Sequence, residues 1–167
     1  NGVLKLGDGE YYGTGNLLYD GRSLLTAAHV FDGRNYDRLK IYLYDGVNNF
    51  TAYANVNIHS RYDDYDANDD IAIVTFEQTF DSMYQRYQLY RDNSEINKKY
   101  TAVGYGDVGT GYTGETFADE IYKLKTTNTF DADLKTLIDY ANIKLPWKPI
   151  KDAILISDFD NGYSNTD

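Results

Sequence analysis

Short apolar segments separated by turns of Gly, Asp and Asn fill the first 80 residues of the chain. Apolar and polar residues alternate in these segments, as around Leu39, Ile41 and Leu43, and a period of two is typical of strands with one buried face. The pattern predicts strands at 3–6, 10–18, 23–27, 38–44, 51–58 and 71–76. Strands at this spacing indicate an all-β barrel or sandwich.

Beyond residue 80 the alternation weakens, and a polar, Tyr-rich connection begins. A Gly- and Thr-rich stretch at 106–114 is expected to form a loop. Apolar residues at positions i, i+3, i+4 and i+7 predict one short helix over 131–142, with Asp131 or Asp133 as its N-cap. Further strands are predicted at 100–105, 121–127 and 153–156.

The composition narrows the functional classes. The 167 residues carry 16 Lys and Arg against 26 Asp and Glu, a net charge of −10, whereas nucleic-acid binding needs a basic surface. The apolar runs are short, and a membrane-spanning helix needs about 20 apolar residues. We therefore expect neither a nucleic-acid partner nor a membrane span. The chain has no Cys and only two His, which excludes disulfides and thiolate nucleophiles and argues against a multi-His metal site.

Two segments carry candidate functional residues. In the segment 24–30, a predicted strand ends in small residues and is followed by His29, shortly before the Asp-Gly turn at 32–33. In the segment 68–74, Asp70 stands at the start of an apolar strand, where its carboxylate would be partly buried. Taken singly, each residue has an ordinary structural explanation, as a core histidine and as a turn aspartate.

Taken together, Thr-Ala-Ala-His at 26–29 and Asn-Asp-Asp-Ile-Ala at 68–72 resemble the two motifs that carry the catalytic His and Asp of the chymotrypsin/trypsin-like serine peptidase family, in its bacterial type. Three further segments match that family in the same order. They are Gly-Thr-Gly-Asn-Leu-Leu at 13–18, Ile-His-Ser-Arg-Tyr at 58–62 and Gly-Tyr-Gly at 104–106.

The resemblance implies a trypsin-like double Greek-key β-barrel fold. We expect a complete first barrel with the His and Asp at 1–80, a connection between barrels at 81–99 and a partial second barrel at 100–167. The implied activity is that of a serine endopeptidase that hydrolyses peptide bonds by acyl transfer and needs no organic cofactor.

The resemblance also implies a role for each candidate residue. A serine nucleophile needs a base within hydrogen-bond reach and a carboxylate that orients it, and these would be His29 and Asp70. Asp69 is the alternative candidate for the orienting carboxylate. Asp70 is preferred because it directly precedes Ile71, as in the family motif. His59 matches a family histidine without a catalytic role and is expected to be structural.

The nucleophile motif of the family, Gly-Asp-Ser-Gly-Gly, does not occur in the chain. None of the six serines has this Gly-flanked context, whose backbone N–H groups would also form the oxyanion hole. Residues 155–162 resemble the stretch a little before that motif, so we interpret the chain as the N-terminal two thirds of a peptidase domain.

The expected partners are a peptide or protein substrate and a segment beyond Asp167, or a second chain, that carries the catalytic serine. The alternative is a catalytically inactive trypsin-like domain that serves as a binding or structural module. The first residues have neither a basic nor an apolar leader region, so the chain is either cytosolic or already trimmed. With the peptidase hypothesis we expect a secreted, periplasmic or cell-surface protein whose signal peptide has been removed.

The acidic cluster at 63–70 raises the question of a metal site. Asp64, Asp66 and Asn68 begin like an EF-hand loop, but Asp69 and Thr75 stand where that loop requires Gly and Glu. A family-type surface calcium loop and a solvated acidic loop remain as alternatives, and the second is preferred. No metal ligand is assigned.

Overall fold

The computed structural model of the chain describes residues 2–110, 112–116 and 122–158. The chain divides into two compact units, Asn1–Arg91 and Asp92–Asp167. The predicted connection at 81–99 contains this division, and the predicted domain boundaries stay a prediction. Within the described ranges, no helix is both long enough and apolar enough to cross a membrane.

The first unit is a closed six-stranded barrel. Its strands are β1 (Val3–Gly7), β2 (Tyr12–Leu17), β3 (Ser23–Thr26), β4 (Tyr36–Tyr44), β5 (Asn49–Ile58) and β6 (Ala72–Phe76). Neighbouring strands are antiparallel and follow the order β1-β2-β3-β6-β5-β4, with β4 pairing back onto β1. The six strands predicted from the alternating pattern are confirmed, with small differences at their ends.

The barrel is filled by the apolar residues of that alternation. Leu6, Leu24, Ile41 and Val74 are fully buried, and Phe31 joins them from the turn after β3. Complete burial of such a side chain contributes about 1.5–3 kcal/mol, so the inward face holds β3 and β6 in a defined register.

The register of β3 and β6 positions the candidate site. Thr26, the last residue of β3, pairs with Ala72, the first residue of β6. Because the two strands are antiparallel, the chain that leaves β3 lies beside the chain that enters β6. His29 and Asp70 stand on these two adjacent stretches.

In its described residues, the second unit contains three two-stranded sheets and one α-helix. β7 (Lys99–Gly104) pairs with β10 (Leu124–Thr129), and β8 (Val108–Thr110) pairs with β9 (Gly114–Thr116). The short β11 (Ala132–Asp133) pairs with β12 (Leu155–Ile156). The helix α1 spans Leu134–Ala141.

The predicted helix is confirmed within its predicted range. Asp133 is the N-cap, and its carboxylate accepts the N–H of Thr136 at 2.6 Å, which satisfies one of the unpaired donors of the first turn. Asn142 adopts the left-handed conformation and ends the helix, as expected for a residue in the C-terminal cap.

Three predicted segments of this unit differ from the structure. The predicted loop at 106–114 contains β8 and the start of the β8–β9 hairpin. The hydroxyl oxygens of Thr110 and Thr113 each accept the backbone N–H of the other residue, and the turn ends at Gly114, which has a φ of +67°. The strand predicted at 153–156 is shortened to β12, since a 3-10 turn occupies Lys151–Ala153. The strand predicted at 121–127 is found as β10, and residue 121 lies outside the described residues.

Candidate active site

His29 begins a 3-10 turn that follows β3 and spans His29–Phe31. Val30 and Phe31 point into the barrel core and are fully buried, which leaves the His29 side chain on the outside, 63% exposed. A Cβ atom on Gly13 would lie only 2.6 Å from Cγ2 of Val30. The turn therefore packs directly against Gly13 of β2, which leaves no room for a side chain at that position.

Thr26, the threonine of the Thr-Ala-Ala-His motif, ties β3 to β2. Its buried hydroxyl donates to the carbonyl oxygen of Thr14 at 2.9 Å. This bond satisfies a polar group inside the barrel wall and helps to fix the strand that leads to His29.

Asp70 is held at the entrance to β6. The carbonyl oxygen of Ile71 accepts the N–H of His59 at 2.9 Å, and the carbonyl oxygen of Asp69 accepts the N–H of Ile71 at 2.7 Å. Asp69 itself has a left-handed backbone, with φ 51°, a conformation in which Asp and Asn are enriched among non-glycine residues. This tight turn directs the carboxylate of Asp70 toward His29.

The carboxylate of Asp70 receives two hydrogen bonds from the same residue. The backbone N–H of His29 donates to Oδ1 at 2.9 Å, and Nδ1 of the ring lies 2.6 Å from Oδ2. The predicted contact between His29 Nδ1 and Asp70 is confirmed. The carboxylate is 25% exposed and therefore partly shielded from water.

This contact decides which ring nitrogen carries the proton. An ionised carboxylate only accepts hydrogen bonds, so the neutral His29 ring holds its proton on Nδ1 and has a lone pair on Nε2. Within the described part of the chain, Nε2 has no hydrogen-bond partner. The arrangement can take up a proton at Nε2 and stabilise the resulting imidazolium through Asp70. That the two residues are catalytic stays a prediction.

Asp69, the rival of Asp70, has other partners. Its carboxylate is 13% exposed and lies 3.2 Å from Nε of Arg61, and Nη2 of Arg61 donates to its Oδ1 at 3.3 Å. The ring nitrogen Nδ1 of His59 lies 3.8 Å from the same oxygen. The structure thus brings His29 to Asp70 and His59 to Asp69.

Sequence reasoning missed two residues that support this loop. Arg61 forms the ion pair with Asp69, and the only signal for it is a single cation inside an acidic stretch. Tyr62 donates its hydroxyl hydrogen to Asp64 at 2.8 Å, and its ring lies against Gly33, where a Cβ atom would be 2.6 Å from the ring. Burial, the bond to Asp64 and the nearby charges of Asp64 and Asp70 raise the pKa of Tyr62.

The acidic loop does not gather its carboxylates around one point. Asp63 accepts a backbone N–H within the loop, Asp64 accepts the hydroxyl of Tyr62, and Asp69 and Asp70 have the partners described above. Among the described residues, no three His, Asp or Glu side chains come close enough together to hold a metal ion.

No serine hydroxyl in the described ranges is hydrogen-bonded to His29. Ser23 donates to Asp20 at 2.6 Å, and Ser157 lies 3.0 Å from the hydroxyl of Tyr100. Ser157 belongs to the segment 155–162, which was predicted to precede the nucleophile motif, and residues 159–162 of that segment lie outside the described residues.

Comparisons with known proteins bear on the family and the fold of the chain. A family model described as Trypsin matches residues 2–142. Among solved structures, the chain is similar to the scabies mite inactivated protease paralogue S-D1, with a TM-score of 0.67 and 16% sequence identity over 97% of this chain and 71% of that chain. At this identity the similarity establishes the fold alone. No curated protein matches the chain. With a family match over most of its length and a trypsin-like fold, the chain belongs to the trypsin family.

Proposed function

We propose that the chain is the histidine- and aspartate-bearing part of a serine endopeptidase. The observation that supports this function best is the 2.6 Å contact between Nδ1 of His29 and the carboxylate of Asp70, which leaves Nε2 unprotonated and exposed. A nucleophilic hydrolase needs a base in this protonation state.

In this role His29 acts at Nε2 as a general base and then as a general acid. It takes the proton of a serine hydroxyl while the serine oxygen forms a bond to the peptide carbonyl carbon. It then gives this proton to the leaving amine as the C–N bond breaks, and water releases the acyl group in the same way. Asp70 orients the ring and stabilises the imidazolium throughout.

The remaining parts of the proposed enzyme come from outside the 167 residues. The serine and the oxyanion-hole donors belong to a segment beyond Asp167 or to a second chain, and the substrate is a peptide or protein. This chemistry uses no organic cofactor. The same proposal places the peptidase in a secreted, periplasmic or cell-surface location.

A second candidate is a trypsin-like domain that has lost activity and serves as a binding or structural module. It is favoured by the lack of a Gly-flanked serine among the six serines of the sequence. It is also favoured by the fold similarity to a mite protein that is named an inactivated protease paralogue.

Labelling with a serine-directed phosphonate, followed by intact mass and peptide mapping, separates the two functions. When the phosphonate is applied to the natural protein purified from its source, the enzyme hypothesis predicts a labelled peptide. The serine in that peptide is not one of the six in this sequence. His29→Ala should abolish labelling, whereas His59→Gln should preserve it.

The 167-residue chain alone should remain unlabelled and should hydrolyse neither peptides nor esters above background. Labelling at one of its own serines would contradict the enzyme hypothesis as stated. A folded natural protein that carries no reactive serine would favour the binding module instead.

A further inference from the structure

The first half of β5 has a strand neighbour on one side only. β5 pairs with β4 from Asn49 onward, whereas its pairing with β6 begins at Ala54. In the part of the chain that the structure describes, no strand pairs with residues 49–53 on the β6 side. Residues 49–52 form an open edge in an otherwise closed barrel, about 13 Å long at the rise of a strand.

The backbone groups of Thr51 face this open side. The carbonyl oxygen of Tyr53 points to the β6 side, where it accepts the N–H of Glu77 at 3.4 Å. In an antiparallel strand the N–H and C=O groups of every second residue face the same side. The N–H and C=O of Thr51 are therefore directed past the end of β6, where they can bond to another strand.

A groove of about 400 Å³ runs along the open edge. Residues 50–53 form one wall, and the chain that leaves β6 forms the other wall. The ring of Phe80 lies between those of Phe50, Phe76 and Tyr84, with centroid distances of 6.3, 5.1 and 5.6 Å. This edge-to-face cluster gives the groove an aromatic floor.

The rim of the groove is acidic. Glu77 and Asp81 line it with exposed side chains, and none of its described lining residues is Lys, Arg or His. Arg38 donates to Glu77 at 2.9 Å, and its guanidinium lies 3.7 Å from the ring centroid of Tyr53, so this cation balances the charge of Glu77. The carboxylate of Asp81 accepts the N–H of Met83 at 2.9 Å and has no cationic partner among the described residues. The groove thus combines unpaired strand backbone, an apolar floor and a negative rim.

We propose that this groove binds an extended, basic peptide segment of a partner protein, which adds a strand to β5. Backbone bonds to Thr51 supply the pairing, alternate apolar side chains lie on the aromatic floor, and a Lys or Arg side chain lies near Asp81. Addition of a strand to an exposed sheet edge is a general mode of peptide recognition. The proposal uses no residue of the His29 site and is independent of the proposed function.

The test uses the ¹⁵N-labelled 167-residue chain and the peptide acetyl-Lys-Phe-Lys-Val-Lys-amide as a probe. Binding should shift the amide resonances of Thr51 and Tyr53 and slow hydrogen exchange at the Thr51 N–H. Two N-methylated forms of the peptide, methylated at odd or at even positions, carry the same side chains. One of them should bind about tenfold more weakly or worse, because it lacks the donors that face β5. A form with Glu in place of Lys should also bind weakly.

Two variants of the protein provide the matched comparison. Thr51→Pro removes the N–H on the open edge, where a missing donor leaves the pairing with β4 intact, and Thr51→Val retains it. The Pro variant should bind the peptide about tenfold more weakly than the Val variant. Where Thr51→Pro does not fold, the pair of N-methylated peptides decides the question.

Three results of the binding measurements would overturn the proposal. They are no binding at about 1 mM peptide, equal binding of the parent peptide and both N-methylated forms, and equal binding by the two Thr51 variants. Self-association of the chain that shifts the Thr51 signal without peptide would make a second copy the occupant, and this would also overturn the assignment to a basic partner.

Discussion

The carboxylate of Asp70 serves both the ring and the backbone of His29. Its bond to the His29 N–H satisfies the first free donor of the 3-10 turn, and its bond to Nδ1 fixes the ring. Hydrogen bonds to charged groups contribute about 1.5–3 kcal/mol each. Removal of this carboxylate therefore affects the shape of the turn as well as the chemistry of the imidazole.

Replacement of Asp70 by Asn should change the His29 tautomer. The Asn carbonyl oxygen can still accept the His29 N–H, and its amide group is then left facing Nδ1. An amide group donates, so Nδ1 must accept and the ring proton moves to Nε2. The ¹⁵N NMR spectrum of the ring, recorded at alkaline pH, should show the Nδ1–H form in the parent chain and the Nε2–H form in Asp70→Asn.

The matched control for that experiment is Asp69→Asn. Asp69 bonds to Arg61 rather than to His29, and Asn tolerates the left-handed backbone at this position. The control should keep the Nδ1–H form. If Asp70→Asn keeps it as well, the carboxylate does not determine the tautomer.

At the scale of elements, the packing of β2 against the His29 turn gives a second prediction. A Cβ atom at Gly13 would meet the fully buried Val30, and overpacking of this kind costs about 1–3 kcal/mol. Gly13→Ala should lower the free energy of unfolding and weaken the bond between His29 and Asp70. Thermal unfolding and the ¹⁵N ring signals of His29 measure the two effects.

A double mutant tests whether Val30 is the cause. In Gly13→Ala/Val30→Ala the clashing Cγ2 is absent, so the double mutant should be more stable than the sum of the single changes predicts, by about 1 kcal/mol. Additive effects would show that Gly13 acts through something other than Val30.

The turn between β2 and β3 gives a prediction about pH. Burial alone would raise the pKa of Asp20, but hydrogen bonds from the Ser23 hydroxyl and from the amides of Arg22 and Ser23 outweigh it and lower the pKa. A carboxylate with a lowered pKa in the folded state stabilises the fold above its unfolded pKa, near 4, and this stabilisation is lost as the pH falls through the folded pKa.

Asp20→Asn should therefore be less stable than the parent chain at pH 7, by about 0.5–1 kcal/mol for a partly exposed bond. This difference should shrink as the pH falls below about 4. Urea unfolding, followed through the amide signal of Leu24, measures it. The control is Asp37→Asn, since the carboxylate of Asp37 has no hydrogen bond among the described residues, and a similar pH-dependent difference there would contradict the assignment to Asp20.

The elements that sequence patterns could predict are those with one buried face. The barrel strands and α1 were predictable because their apolar spacing follows the core. The β8–β9 hairpin was not, because Val108 is exposed and the hairpin depends on side-chain bonds of Thr110 and Thr113. The same limit applies at the site. His29 and Asp70 could be predicted from motifs, whereas Arg61 and Tyr62 act through contacts that follow no periodic pattern.

At the scale of the whole molecule, the dominant property is the net charge of −10. Like charges repel one another in the compact state, and salt screens this repulsion. The Debye length falls from about 30 Å at 0.01 M to about 3 Å at 1 M salt. Sodium chloride should therefore raise the midpoint of thermal unfolding at pH 7.

The same titration near the isoelectric point provides the control. There the net charge is close to zero, so the stabilisation by salt should be small or absent. An equal increase at both pH values would show that the salt acts through burial of apolar surface instead of through charge.

The two hydrogen bonds between Asp70 and His29 also bear on how such pairs persist through evolution. Because the carboxylate satisfies a backbone donor of the turn, selection for stability alone retains Asp70, whether or not the descendant cleaves peptides. A lineage that loses its nucleophile can keep an intact His–Asp pair for structural reasons. Across this family, the nucleophile region is therefore needed beside the His–Asp pair to distinguish an active peptidase from an inactive descendant.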